Sequence, residues 1–153
     1  MKIAIGSDHA GFEMKEKLKQ FLADRKLEVL DCGPQAGDSP VEYVPIAKAV
    51  AQKTAAAEVA GGILICGTGM GMSIAANKVP GIRAGLCNEL FTAKYAKSDV
   101  NINVLCMGSR VISQRMAEEI TALWLDTPFT GGRFIPRLKQ LSDLEVERSQ
   151  PCC

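Results

Sequence analysis

The sequence predicts an α/β fold in which helices cover both faces of a five-stranded parallel sheet. Short apolar runs alternate along the chain with longer amphipathic segments, which is the pattern of successive strand–helix–strand units. The apolar runs are nearly continuous, as strands buried on both faces require. A length of 153 residues suggests one domain that is large enough to bury a core.

The first two strands are predicted at Ile3–Ile5 and Leu27–Leu30, which are short apolar runs. Between them, mostly apolar side chains recur at helical spacing over Phe12–Leu22, with charged residues in between, so a helix is expected there. The loop-forming residues Asp31–Pro34 end the second strand.

The middle of the chain predicts the third strand between two helices. A polar loop reaches about Pro40, and a helix follows over Glu42–Ala56. Ile63–Ile65 is the third strand. A short helix over about 71–78 ends where Val-Pro-Gly follows, because that tripeptide is a helix-stop signal.

The last third of the chain repeats the alternation. Ile82–Leu86 and Val104–Met107 predict the fourth and fifth strands, and helices over Leu90–Lys97 and Gln114–Leu125 follow them.

A glycine pair, Gly131-Gly132, then breaks the chain before a final helix over Pro136–Glu147, which starts on a residue suited to a first helical turn. We therefore expect a single domain over 1–148 and a flexible tail over 149–153.

Composition and charge exclude several classes of function. The formal net charge is +1, and no long run of one charge sign occurs, so neither nucleic acid nor an anionic membrane is an expected partner. No apolar stretch reaches 18 residues, and the apolar part of the N-terminus is too short for a signal peptide.

Six cysteines show no metal-binding or disulfide pattern, since there is no Cys-x-x-Cys pair and only one histidine. Cys66, Cys87 and Cys106 each lie near the end of an apolar run, which is typical of free buried thiols. The sequence therefore predicts a cytoplasmic, reducing location and no zinc site.

Unusual segments follow three of the predicted strands: Gly6–Gly11, Cys66–Ser73 and Gly108–Arg110. In open α/β sheets, ligands bind beyond the carboxyl ends of the strands. The convergence of these segments predicts a binding site at that edge of the sheet.

The second of these segments reads CGTGMGMS and matches neither the phosphate-binding GxxxxGK[ST] pattern nor a first-strand GxGxxG. Its glycines form either a tight strand-to-helix turn or a row of backbone amides that faces an anion or a developing oxyanion. Cys66 is then either an inert buried thiol or a thiol whose anionic form the helix end favours.

The other candidate side chains each have a structural alternative. His9 is either a structural histidine or a binding group, and Asp8 is either a helix N-cap or part of the site. Tyr43 is either part of the site or a side chain that only packs against its neighbours.

Three arginines are also candidates for the site. Arg110, Arg133 and Arg137 are either solvated or form one cluster for a phosphate group.

These residues stand in longer motifs that resemble the type B ribose-5-phosphate isomerase family, which includes the galactose-6-phosphate isomerase subunits. The matching stretches are IAIGSDHAGFEMKEKL, GGILICGTGMGMSIAANKVPGIRAGLC, NVLCMGSRVI and GGRFIPR. The resemblance implies a Rossmann-like α/β/α fold and aldose–ketose isomerisation of a sugar phosphate through an enediolate, without metal or cofactor. It also implies a homodimer, with a tetramer as the alternative, whose active sites are shared between subunits.

The resemblance also assigns roles by position. Cys66 resembles the base that moves a proton between C1 and C2 of the sugar, and the segment that follows it resembles an amide cradle for the enediolate oxygen: Gly67, Gly69, Met70 and Gly71. Three residues resemble groups that bind or open the sugar, namely Asp8, Tyr43 and Thr68, and four resemble a phosphate site, namely His9, Arg110, Arg133 and Arg137.

The chain departs from the family pattern before the fifth strand, where many members carry a His-Asn pair and the histidine is assigned to ring opening. Here Asp99 and Val100 occupy those positions. Either Asp99 opens the ring as a carboxylate base, or Asp8 and Thr68 do so, or the substrate needs no ring opening, as a tetrose 4-phosphate does not.

The leading hypothesis is isomerisation of ribose 5-phosphate or a close relative. Tetrulose 4-phosphate, allose 6-phosphate and galactose 6-phosphate are alternative substrates. A non-catalytic sugar-phosphate binding module is the rival class, although binding alone does not require the Cys66 thiol.

Overall fold

The computed structural model describes residues 1–148, and the predicted tail lies outside them. All neighbouring strands in the five-stranded sheet are parallel, in the order β2-β1-β3-β5-β4. The strands are β1 (Lys2–Ser7), β2 (Glu28–Asp31), β3 (Gly61–Cys66), β4 (Ala84–Leu86) and β5 (Val104–Gly108). The predicted parallel sheet is therefore confirmed.

Six α-helices accompany the strands within residues 1–148, as predicted. They are α1 (Phe12–Asp24), α2 (Tyr43–Ala55), α3 (Met70–Ala76), α4 (Leu90–Ser98), α5 (Gln114–Asp126) and α6 (Ile135–Arg148). Single 3-10 turns at His9–Gly11 and Gly132–Phe134 precede the first and the last helix. Within the described residues, no helix is long and apolar enough to cross a bilayer.

The two faces of the sheet bury separate apolar cores, because side chains alternate along each strand. Ile5 and Ile63 pack on one face with residues of α1, α4 and α5. Ala4 and Leu64 pack on the other face with residues of α2 and α3. This is the three-layer α/β/α arrangement that the apolar pattern predicts.

Most element boundaries differ from the prediction by one or two residues, and two of these differences have a visible physical cause. The fourth strand begins at Ala84 rather than Ile82, because side-chain amides occupy the preceding backbone: the N–H groups of Arg83 and Ala84 donate to Asn103 Oδ1 and Asn77 Oδ1, each at 2.8 Å. The last helix begins at Ile135, one residue before Pro136, since the 3-10 turn leads directly into it.

The sheet topology places a crevice at the carboxyl ends of β1 and β3. These strands are neighbours, yet β1 leads into α1 on one face and β3 leads into α3 on the other. Such a switch point is where ligands bind in open α/β sheets.

Candidate active site

The loop after β3 holds the Cys66 thiol against backbone amides. Cys66 is the last residue of β3 and only 6% exposed, and its Sγ accepts a hydrogen bond from Gly69 N–H at 3.1 Å. Thr68 Oγ1 accepts from Met70 N–H at 3.3 Å, at the point where α3 begins. The thiol is thus oriented by the loop that follows it.

Gly69 is required by both conformation and space. Its φ is +78°, in the left-handed region that favours glycine. A Cβ at this position would lie 2.7 Å from the carbonyl carbon of Met107 and 2.5 Å from Leu86 Cδ1. The glycine therefore lets the loop press against β5, which fixes the distance between the loop and the neighbouring strand.

The loop after β1 is attached to the end of β3. Asp8 N–H donates to Ile65 O at 3.3 Å, and Asp8 Oδ1 accepts from Gly11 N–H at 3.1 Å. Asp8 thus caps the 3-10 turn that precedes α1, so the N-cap alternative for this residue holds for the turn rather than for the helix itself. His9 is exposed, and its Nδ1 accepts from Val41 N–H at 3.5 Å.

The loop after β5 is the third segment of the site, and backbone hydrogen bonds attach it to the loop after β3. Ser109 N–H donates to Cys66 O at 2.9 Å, and Arg110 N–H donates to Gly67 O at 3.0 Å. The Arg110 guanidinium lies over Gly67, with Nε 3.4 Å from the position a Cβ would occupy.

Ser109 links all three loops, because its hydroxyl also donates to Ala10 O at 2.8 Å. Sequence reasoning missed this residue, since a serine in a turn carries no distinctive signal.

Tyr43, the first residue of α2, contributes a ring at the other side of the loop. A Cβ at Gly71 would lie 2.9 Å from Cε2 and Cζ of that ring. Gly71 therefore makes room for the tyrosine. One copy of the chain thus brings together most of the predicted site: Asp8, His9, Tyr43, Cys66, Gly67, Thr68, Gly69, Met70, Gly71 and Arg110.

The remaining predicted residues lie at the opposite edge of the sheet. Asp99 follows α4, which returns the chain to the amino end of β5, and Thr130 N–H donates to Ser98 O at 2.9 Å. Asp99 and Arg137 line one cleft of about 510 Å³. The carboxyl and amino edges of the sheet are roughly 13 Å apart along β5, since a strand rises about 3.3 Å per residue.

A single copy of the chain does not bring the three arginines together. Arg133 and Arg137 lie over the Phe134 ring, at 5.0 and 5.3 Å from its centroid, while Arg110 lies beside Gly67. The physical reason is topological, because α5 carries the chain from the carboxyl edge back to the amino edge before Arg133.

Two other thiols, one directly after β4 and one on β5, are core side chains, as predicted. Cys87 and Cys106 are free and buried. Burial raises the pKa of Cys87 to about 11, and burial also raises the pKa of Cys106. Among the described residues, no group of three His, Cys, Asp or Glu side chains could hold a metal ion.

Known proteins share this arrangement over nearly the whole chain. The ribose/galactose isomerase model matches residues 3–141. Ribose-5-phosphate isomerase B of Escherichia coli is 42% identical, over 97% of this chain and 99% of its own. D-erythrulose-4-phosphate isomerase of Pectobacterium atrosepticum is 37% identical, over 95% of each chain. The structure of Clostridium thermocellum ribose-5-phosphate isomerase B has a TM-score of 0.95 at 40% identity, over 97% of this chain and 100% of that one. The chain belongs to the ribose/galactose isomerase family.

Proposed function

We propose that this protein interconverts the aldose and ketose forms of a sugar phosphate, ribose 5-phosphate or a close relative, with Cys66 as the base. The observation that carries this proposal is the Gly69 N–H···Sγ hydrogen bond of 3.1 Å, at a buried thiol beside a helix start. This backbone donor fixes the orientation of the sulfur beside the glycine loop, and a candidate base has to meet this requirement of geometry first.

In the proposed reaction, the Cys66 thiolate takes the proton from C2 of the open-chain aldose. The C–H electron pair forms the C1–C2 double bond, and the carbonyl electrons move onto O1, which gives the cis-enediolate. A proton then passes from O2 to O1, and return of the carbon-bound proton to C1 re-forms a carbonyl at C2 and yields the ketose. The reaction balances without an oxidant, reductant or cofactor.

The negative charge on the enediolate oxygen requires donors, and the loop leaves some unused. Gly69 N–H is engaged by Cys66 Sγ, and Met70 N–H by Thr68 Oγ1. Within residues 1–148, no acceptor takes the N–H of Gly71, which lies in the first turn of α3. We assign the Gly71 amide as an oxyanion donor, and loss of one such donor costs about 2.7–4 kcal/mol of barrier.

We further propose that a second copy of the chain completes the site. Arg110 and His9 lie on the Cys66 edge, whereas Arg133, Arg137 and Asp99 lie on the other. A phosphate that contacts both sets therefore needs two subunits. Apolar side chains are 40–57% exposed beside the second edge, which fits a protein–protein contact: Val100, Ile135, Leu141 and Leu144.

A four-carbon substrate is the second candidate, and Asp99 with Val100 favours it. These residues stand where the family pattern has the ring-opening His-Asn pair. A tetrose 4-phosphate cannot close a ring through its esterified hydroxyl, so it needs no such group. One 37% identical relative is a D-erythrulose-4-phosphate isomerase, which supports this alternative.

The test is to incubate the purified protein with ribose 5-phosphate, allose 6-phosphate, galactose 6-phosphate and erythrulose 4-phosphate, and to follow each sugar by NMR. We expect isomerisation of at least one. Efficient turnover of ribose 5-phosphate would contradict the four-carbon alternative. Binding of these sugars without turnover would contradict the isomerase and favour a binding module.

A further inference from the structure

Helix α1 carries a lysine whose ammonium is completely buried. The side chain of Lys15 is 0% exposed, and its Nζ lies 2.7 Å from Asp31 Oδ2, 2.8 Å from Pro34 O and 3.0 Å from Glu16 Oε1. An ammonium has three donors, so all three have acceptors here. Burying a charge is costly, and a well-packed apolar pair is often as stable as a buried ion pair. Stability alone is therefore a weak reason for this lysine.

Two of the acceptors of Lys15, Asp31 and Pro34, lie at the turn that follows β2. Asp31 uses its other oxygen, Oδ1, to accept from Gly33 N–H at 2.9 Å. Pro34 accepts through its backbone carbonyl. Lys15 and Asp31 together tie residues 31–34 to α1 at both ends of the turn. Burial would raise the pKa of Asp31, but the hydrogen bonds from Lys15 and Lys19 outweigh it, so that pKa is lowered and the carboxylate stays charged.

This turn leads directly into the candidate active site. A Cβ at Gly33 would lie 3.0 Å from Ser7 N, so the turn packs against the residue before Asp8. Beyond Pro34, no hydrogen bond holds residues 35–40 within the described part of the chain, and Gly37 packs on the Phe12 ring of α1. Pro34 O is thus the last hydrogen-bonded point before Val41.

We propose that Lys15 is a positioning residue for the site. Its ammonium fixes the turn at 31–34, and this turn sets where the following segment places Val41 beside His9 and the Tyr43 ring over Gly71. The inference rests on the proposed isomerase function, since it takes His9 and Tyr43 to contact the sugar phosphate.

The test is the Lys15→Met variant, in which an uncharged side chain of similar shape takes the place of the buried lysine. We expect KM for the sugar phosphate to rise at least about tenfold while kcat changes less than about threefold, since the displaced groups bind the substrate. Backbone amides of 35–42 should exchange with deuterium at least about tenfold faster. A purely structural role would lower the active fraction, and hence kcat, with KM unchanged.

The matched control is Lys19→Met. Lys19 also lies 2.7 Å from Asp31 Oδ2, but it is 29% exposed and bonds no loop carbonyl, so KM and loop exchange should stay within about twofold of wild type. If Lys15→Met does not fold, the double variant Lys15→Met/Asp31→Asn removes both partners, keeps the acceptor for Gly33 N–H and answers the same question.

Unchanged KM in a folded variant overturns the proposal, as does unchanged exchange at 35–42, or an equal rise of KM in the Lys19 control. Failure of the isomerase function has a different signature, because the wild-type chain would then turn over none of the four sugars. The exchange comparison would still decide whether Lys15 holds the loop.

Discussion

Gly69 shows how one residue couples the loop conformation to the position of the thiol. Its left-handed backbone turns the N–H toward Cys66 Sγ, and its missing side chain allows contact with the β5 backbone. Gly81 has nearly the same φ, +81°, but a Cβ there would meet nothing within 4 Å. Comparing substitutions at the two glycines therefore separates the free-energy cost of a left-handed backbone from the cost of steric overlap with neighbouring residues.

We predict that Gly81→Ala lowers the free energy of unfolding by about 1–2 kcal/mol, the cost of a left-handed alanine. Gly69→Ala should cost about 1–3 kcal/mol more, because its methyl group also overlaps Met107 and Leu86. Urea denaturation of both variants measures the difference. Equal losses would show that the loop moves away from β5 freely, so that close packing on this strand does not fix its position.

At the scale of elements, the turn after β2 depends on ionised Asp31. The pKa of Asp31 is lowered in the folded chain, since hydrogen bonds from Lys15 and Lys19 outweigh the effect of burial. A carboxylate with a lowered pKa contributes stability above its unfolded pKa, and that contribution disappears as the pH falls through the folded value. The ion pair should therefore be part of the acid sensitivity of the fold.

We predict that wild type loses more stability between about pH 5 and pH 3 than Lys15→Met/Asp31→Asn does, because the double variant lacks this linked carboxylate. Thermal unfolding at pH 5, 4 and 3 makes the comparison, with Lys19→Met as a control that retains Asp31 and Lys15. If Tm falls by the same amount in wild type and in the double variant as the pH is lowered, Asp31 contributes nothing to acid unfolding.

The strands could be predicted because each contains a short apolar run, and the helices because amphipathic segments alternate with these runs. The cluster after β3 could be predicted because its glycines directly follow an apolar strand. The start of β4 could not, since the side-chain amides of Asn77 and Asn103 compete for the backbone there. The contact of Tyr43 with Gly71 could not either, because no local pattern reports a packing distance between residues so far apart in sequence.

At the scale of the whole molecule, the candidate groups are divided between the two edges of the sheet. Cys66 and Arg110 lie at the carboxyl edge, and Asp99, Arg133 and Arg137 lie beyond the amino edge. The positions of these arginines agree with the shared sites that the family resemblance implies. A single chain would then have two half-sites and no complete one.

Subunit complementation tests this arrangement. Cys66→Ala and Arg137→Ala should each be nearly inactive alone. Mixing them in equal amounts and allowing subunits to exchange should restore about a quarter of wild-type activity, because half of the dimers are mixed and each mixed dimer has one intact site. No recovery in a mixture shown to contain mixed dimers would place both residues in the same subunit's site.

Exchange of the C2 proton with deuterated solvent measures most directly whether the Cys66 thiol moves the proton. We predict that Cys66→Ala slows this exchange at least about a hundredfold on the sugar that wild type isomerises, while inorganic phosphate still binds. Cys106→Ala, which alters a buried thiol on the same face of the sheet, should exchange within a few-fold of wild type. Exchange at the wild-type rate in folded Cys66→Ala would contradict the role of this thiol as the base.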